Sequence, residues 1–415
     1  MNIIRKVAAY VALISVYSLT YLIAMVGGMI PRRSWKPTGR IMVIGRFDNP
    51  NWYLSHVTPL CLSGVSEIIM ISDSPQSPLE KVTFVCPPIW ISKLTGRACA
   101  KAIWMFVAAF RFRPDLYMGY HLMPAGCISL VVGKLFGRPS CYQMTGGPTE
   151  VVGGGYGAID SFEGALQSPS RFIEFLALGV VRRFELIVVR GNKAKSFLQE
   201  HNVKANVAII TGSTTKSEQT GQVDRDIHLV FVGRLTHIKR LRTFISVVAE
   251  VRRCLKDTKA VIVGSGPLLT ELRDYARELC LTDCIEFLGK RNNVVEVLNR
   301  SKVFLLTSQS EGLSIAMAEA MAAGVVPVVA DVGELGDLVT HGVNGFLVEP
   351  KSIEQYTSNI VSLLQDSTIW DKCSLKAAES ARKYCDIEVV TAKWSQHLND
   401  VIFNASGSCE SRALN

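Results

Sequence analysis

The chain has 415 residues, of which 48% are hydrophobic and 20% charged, with a formal net charge of +9. That length suits two domains rather than one, and that composition excludes bulk disorder. The basic excess points to a membrane surface, phosphorylated ligands or nucleic acid; no dense Lys/Arg run with interleaved aromatics is present, which argues against the last.

The first element is an apolar run, VAAYVALISVYSLTYLIAMVGGMI, residues 7–30. As a helix it would extend about 36 Å, enough to cross a bilayer core of about 30 Å. Arg5 and Lys6 flank one end; Arg32, Arg33, Lys36 and Arg40 flank the other, and Trp35 suits the interface. A cleaved signal peptide fits less well, because the run is long and no A-x-A site follows it. The expectation is an N-terminal membrane anchor over 1–36, a single pass of the plasma membrane, with a shallow or re-entrant anchor as the alternative. The heavier positive flank places the body on the cytosolic face.

From Pro37 onward, short apolar runs alternate with helical patterns. RIMVIG (40–45), EIIMIS (67–72) and LIVVRG (186–191) read as strands, and SKLTGRACAKAIWMFVAAFRF (92–112) as helical. GGPTEVVGGGYG (146–157) is too rich in glycine for helix or strand and reads as a mobile loop. A polar stretch, 211–226, marks a boundary. Then HLVFVG, AVIVG, CIEFLG, KVFLLTS, VVPVVA and GFLVEP give six more strands with helical connections. The expected fold class is α/β: two Rossmann-like doubly wound domains facing a cleft, over 37–208 and 209–386, with a C-terminal helix and tail over 387–415. In such sheets ligands bind beyond the carboxyl ends of the strands.

Three motifs fall at strand ends. In SQSEGLSIAMAEAMAAG, Glu311 sits in the loop after KVFLLTS, and Glu319 lies about two turns into the helix that starts near Ser314. An acid flanked by Ala and Met needs hydrogen-bond donors, which a ligand's vicinal diol can supply. The backbone of Gly312, Leu313 and Ser314 at the helix start favours an anionic group. Diol, anion and a polar contact from Glu311 together describe a sugar nucleotide. In LVFVGRLTHIKR, Gly233 permits a sharp turn, and Arg234 and Lys239 can hold a diphosphate and offset charge on a leaving group. In AVIVGSGPLLTEL, Gly264-Ser265-Gly266 is only weakly like a dinucleotide fingerprint, because Leu269 stands at the third glycine position. A glycine-rich turn near a nucleotide is the better reading.

FVGRL with its following lysine, VGSGP, the strand–EGLSIAMAEAMAAG block and GVNGFLVEP occur in order over about 228–350. Together they resemble the C-terminal domain of family 4 glycosyltransferases, enzymes with the GT-B fold and an E-x7-E motif. The resemblance implies a retaining transfer of a hexose-type sugar from a nucleotide-sugar donor, with no cofactor and no metal. It implies that Arg234 and Lys239 stabilise the leaving diphosphate, that Glu311 contacts sugar hydroxyls, and that Glu319 binds the ribose. The segment GYHLMPAG resembles the family's N-domain, where His121 would reach the donor sugar. The family's usual Gly-rich turn after the first strand is replaced by GRFDNPNWYLSH, so Asp48, Asn49 and Glu150 are the acceptor-side candidates. Asp337 stands where the family usually has Glu. The D-x-D at Asp224–Asp226, which other glycosyltransferases use for metal, precedes a strand and is set aside. With the apolar helix and basic charge, a lipid-linked acceptor in surface polysaccharide assembly is expected, and nucleic acid is not. Two alternatives stay open: a sugar-nucleotide epimerase on the same fold, and a non-catalytic binding subunit. The 11 cysteines, dispersed and without a CxxC pair, read as buried hydrophobes in a reducing compartment.

Overall fold

A computed structural model of the chain describes residues 2–29, 36–47, 49–156, 166, 168–214, 224–291 and 293–404. Arg32, Arg33, Trp35, Asp48, Gly157, the centre of the polar stretch (215–223) and the last eleven residues (405–415) lie outside the described residues. The chain forms two compact units, Met1–Thr211 with Thr391–Asn415, and Gly212–Val390.

The first unit runs α1 (Asn2–Met29), β1 (Arg40–Ile44), α2 (Pro50–Leu62), β2 (Glu67–Ile71), β3 (Val82–Val85), α3 (Ile89–Thr95), α4 (Arg97–Phe112), β4 (Leu116–Tyr120), α5 (Cys127–Leu135), β5 (Ser140–Met144), α6 (Arg171–Val181), β6 (Leu186–Val189), α7 (Asn192–Glu200) and β7 (Asn206–Ile209). Its seven strands are all parallel, in the order β3-β2-β1-β4-β5-β6-β7. β4, β5 and β6 are buried along their whole length, as strands covered on both faces must be. LIVVRG is a strand, as read from the sequence, and one further strand, β7, pairs beyond it. The run 92–112 is not one helix: Gly96, at φ +80°, ends α3 and starts α4.

The second unit runs β8 (Ile227–Val232), α8 (Leu241–Cys254), β9 (Ala260–Val263), α9 (Leu269–Glu278), β10 (Ile285–Gly289), α10 (Val295–Asn299), β11 (Ser301–Leu306), α11 (Ile315–Ala322), β12 (Val326–Ala330), β13 (Phe346–Val348), α12 (Ile353–Gln365) and α13 (Ser367–Cys385). Its six parallel strands take the order β10-β9-β8-β11-β12-β13. All six runs read as strands from the sequence of this half are strands. Their Val, Ile, Leu and Phe side chains join α8, α11, α12 and α13 in one core. A last helix, α14 (Ile387–Leu398), carries the chain back to the first unit. There Trp394 is buried and Ser395 Oγ donates to the Ser63 carbonyl at 3.0 Å.

α1 is long and apolar enough to cross a membrane, yet it packs along α5 and α6. Ala9, Leu13, Tyr17, Thr20, Ala24 and Gly27 are buried at three- and four-residue spacing, one stripe of the helix. A Cβ on Gly27 would lie 2.8 Å from Lys134 Cβ, so only glycine allows this approach.

Candidate active site

The order of the second sheet reverses between β8 and β11, the neighbours from which the strand order runs outward in both directions. Ligand sites form at such switch points, beyond the strands' carboxyl ends. β8 is followed there by Gly233 and Arg234, and β11 by the loop holding Glu311. Backbone and hydroxyl bonds tie the two loops together. Gln309 N donates to the Ile238 carbonyl at 2.7 Å, and Thr307 Oγ1 donates to the carbonyls of Lys239 and Arg240 at 3.2 and 3.0 Å.

This tie brings Lys239 and Glu311 into contact. Lys239 Nζ donates to Glu311 Oε1 at 2.5 Å, and Ser308 Oγ donates to the same oxygen at 2.6 Å. Both side chains are largely buried, with exposures of 17% and 9%. Sequence reasoning gave each a ligand and did not foresee that they pair, nor that Ser308 supports them. Arg234 is exposed at the end of β8.

α11 begins at Ser314, whose hydroxyl caps it by accepting from Met317 N at 3.3 Å. Met317, Ala318, Ala320 and Met321 turn into the core. The less buried face is Ile315, Ala316, Glu319 and Ala322. Glu319 is the fifth residue of the helix, little more than one turn in rather than two. Among the described residues its carboxylate has no hydrogen-bond or ion-pair partner, and burial pushes its pKa up to about 7. A raised carboxyl pKa means that the folded state prefers the protonated form. Its stabilising contribution is full below the unfolded value near 4.5 and is lost as pH rises through about 7. Glu319→Gln is therefore expected to raise the melting temperature of the unliganded protein at pH 8, by an equivalent of roughly 1–3 kcal/mol. The gain should vanish near pH 4.5. Melting curves across this range check it, and a gain that does not change with pH would remove the titrating group from the account.

The glycine-rich VGSGP turn serves the same region as a brace. A Cβ on Gly264 would lie 1.8 Å from the Gly233 carbonyl oxygen, and one on Gly266 would lie 2.4 Å from that of Leu235. Gly233 N and Leu235 N donate across to Val263 and Ser265 carbonyls, both at 3.0 Å. The glycines let the backbone of one loop lie on the backbone of the other. Gly333, after β12, does this for Glu311: its Cβ would fall 1.7 Å from the Glu311 carbonyl oxygen, at φ +56°. Nothing in the sequence reading singled it out. Asp337 lies in the short turn Leu335–Asp337 beyond it.

The Asp224–Asp226 triplet is structural at its described contacts. Asp226 is bonded by Arg300 at 2.8 and 2.6 Å, and Arg225 donates to the carbonyls of Leu298, Ser301 and Ala323.

In the first unit the switch point lies between β1 and β4. His121 follows β4 directly, at φ +65°. Its Nδ1 lies 3.0 Å from Glu150 Oε1 and 3.0 Å from Thr145 Oγ1. Glu150 is buried, and it accepts from Leu122 N at 3.0 Å, Tyr142 Oη at 2.7 Å and Gly146 N at 2.5 Å. Burial alone would raise its pKa; the adjacent His121 and the donors Gly146 and Tyr142 outweigh that and hold it below the usual carboxylate value. Glu150 thus fixes His121. The segment around it forms two short 3-10 turns, Gly147–Glu150 and Val152–Gly154, joined by the buried Val151, instead of the loop expected from its glycines. Asn49 caps α2, accepting from Asn51 N and Trp52 N at 3.1 and 3.3 Å.

Residues 212–384 match the family described as "Glycosyl transferases group 1". Among solved structures, Anabaena HepE in complex with UDP superposes with a TM-score of 0.68 at 17% identity, over 87% of this chain and 100% of that one. A sucrose-phosphate synthase from Thermosynechococcus elongatus gives 0.72 at 16%, over 88% and 99%. The fold is GT-B. Among curated relatives of this GT-B chain, the Bacillus anthracis N-acetyl-alpha-D-glucosaminyl L-malate synthase is 27% identical over 193 residues, 46% of this chain and 49% of that protein. The Escherichia coli UDP-Gal:alpha-D-GlcNAc-diphosphoundecaprenol alpha-1,3-galactosyltransferase is 30% identical over 141 residues, 33% of this chain and 36% of that one. The chain therefore spans about half or less of the length of these relatives.

Proposed function

We propose that the protein is a retaining glycosyltransferase of family 4 that moves a hexose-type sugar from a nucleotide-sugar donor to a lipid-linked acceptor. It would work at the cytosolic face of a membrane, in surface polysaccharide assembly. The observation that carries this reading is the Lys239–Glu311 pair at a sheet switch point, in the same unit as a half-buried carboxylate, Glu319, that has no partner among the described residues. The group 1 match over the same residues supports it. So do the sugar transfer named for the E. coli relative, with its diphosphoundecaprenol acceptor, and the UDP held by HepE.

Glu319 would take the ribose diol through both carboxylate oxygens. The Gly312–Ser314 backbone would meet the diphosphate, and Glu311 the sugar hydroxyls. An arriving diphosphate competes with Glu311 for the Lys239 ammonium. Lys239 and Arg234 would then offset the charge that grows on the leaving diphosphate as its bond to the anomeric carbon breaks. These two fixed cations supply the positive charge, so no metal or other cofactor is invoked. His121, held by Glu150, is proposed as a further sugar contact. Asn49 and Asp48 remain acceptor-side proposals, Asn49 with its oxygen already committed to capping α2.

The test is a thermal-shift screen of the purified protein against UDP, GDP, ADP, CMP and dTDP sugars without metal. A ligand that binds only the native state raises the melting temperature by mass action. The expected result is a shift with one nucleotide class that Glu319→Ala abolishes. No shift with any of them would remove the donor site, and acceptor-free conversion of the sugar to its epimer would replace transfer with epimerisation.

A further inference from the structure

We infer that α1 does not cross the bilayer but lies in its plane, as one strip of a lipid-facing surface that α3, α4, α5 and α6 of the first unit complete. The inference takes only the membrane attachment from the proposed function and does not depend on the donor site.

α1 belongs to the first unit's core. Leu13, Tyr17 and Ala24 are buried among Ile173, Ala177 and Val180 of α6 and Leu130 of α5. Arg183, at the end of α6, donates to Tyr21 Oη at 2.8 Å and lies over its ring. A spanning α1 would have to drag α6, with Arg171, Glu174 and Arg183, into hydrocarbon, or leave the stripe and expose this core. Charged groups at that depth are costly. Neither is needed if the helix lies flat, because its opposite face is already apolar and exposed: Val7, Val11, Leu19, Leu22 and Val26.

The same exposure continues on neighbouring helices. On α4, Ile103, Phe106, Val107 and Phe110 fall at i, i+3, i+4 and i+7, one helical face, and all four are exposed. The opposite face, with Ala100, Met105, Ala108 and Ala109, is the one that is buried. Trp90 on α3 is 66% exposed and Leu94 is 79% exposed. Phe172 and Phe175 extend the surface on α6. Phe106 and Phe110 stack edge-on to Phe136, beside the end of α5, and α5 packs on α1. The strips are therefore neighbours and not scattered apolar residues. Such a large contiguous patch marks an interaction surface.

Charge identifies the partner as an anionic lipid surface. No Asp or Glu occurs in residues 1–47 or 86–114. Within the second stretch Lys93, Arg97, Arg111 and Arg113 are exposed beside the aromatic and aliphatic side chains. In these two stretches, apolar side chains flanked by cations and free of acids suit the boundary between acyl chains and anionic headgroups.

The test uses the full chain with an epitope tag at each end, in sealed membrane vesicles from expressing cells treated with external protease. Both tags are expected to share one fate, digested together or protected together. Opposite fates would establish a span and overturn the inference while leaving membrane attachment intact. In parallel, Trp90→Glu/Phe110→Glu places charge on exposed positions outside α1. It should lower the fraction bound to phosphatidylcholine–phosphatidylglycerol vesicles at least tenfold, with melting temperature and nucleotide-induced shift unchanged. Undiminished binding of that variant would overturn the inference. So would a parent chain that is a lipid-indifferent dimer which the variant splits, since a second copy would then cover the patch. A parent that binds no vesicles at all would end both this inference and the membrane placement, with the nucleotide shift still read separately.

Discussion

Lys239→Met should lower turnover by roughly two to three orders of magnitude, the usual cost of removing one fixed group that stabilises charge in a transition state. kcat should fall more than donor affinity, because the lysine acts on charge that grows as the bond breaks. The structure adds a second effect. Glu311 is 9% exposed and, among the described residues, would keep only Ser308 as its side-chain donor. Removing one partner of a largely buried ion pair leaves the other short of a donor, so the variant should also lose about 1–3 kcal/mol of stability. The double variant Lys239→Met/Glu311→Gln separates the two effects: it should regain most of the melting temperature and none of the turnover. A single variant that keeps full turnover would show that the leaving charge is met elsewhere, and Arg234 would be the next residue to change.

Gly333→Ala is the second large effect, and it involves no charge. The new Cβ would meet the Glu311 carbonyl oxygen at 1.7 Å, and φ +56° is a conformation that L-residues adopt only with strain. Two backbone segments must separate, and the loop that carries Glu311 is one of them. The expected loss is about 2–4 kcal/mol of stability, with nucleotide-sugar affinity down by about tenfold or more. Melting curves and a donor titration on the same sample check both. An unchanged donor affinity in a destabilised but folded protein would detach this brace from the site.

Much of the second unit was legible because strands buried on both faces leave near-continuous runs of Val, Ile, Leu and Phe. HLVFVG, AVIVG and KVFLLTS are such runs, and the residues that follow them could be placed at strand ends without coordinates. The first unit was less so. β4 and β5, LYMGY and SCYQM, mix polar and aromatic residues, and β3 and β7 are only partly covered. In 92–112 one glycine, Gly96, divides what periodicity alone joins. The glycines of 146–157 suggested a loop, but the decisive residue there is Glu150, whose buried carboxylate gathers donors from Leu122, Tyr142, Gly146 and His121. Contacts of that kind join residues far apart in sequence and leave no periodic trace. The Lys239–Glu311 pair and the Gly333 brace were hidden for the same reason. α1 posed another difficulty: when every face of a helix is apolar, composition cannot say which face is packed. Only the small residues Thr20, Ala24 and Gly27, at four- and three-residue spacing, hint at it.

The return of α14 to the first unit sets an order of events during synthesis. All seven strands of the first sheet have been made once the ribosome has passed Ile209, and domains tend to fold as they emerge. The place where Trp394 is later buried, and where Ser395 meets Ser63, stays uncovered until the whole second unit has been translated. The nascent first unit therefore waits with an open apolar seam, and the helix that closes it arrives only after the second unit has been made.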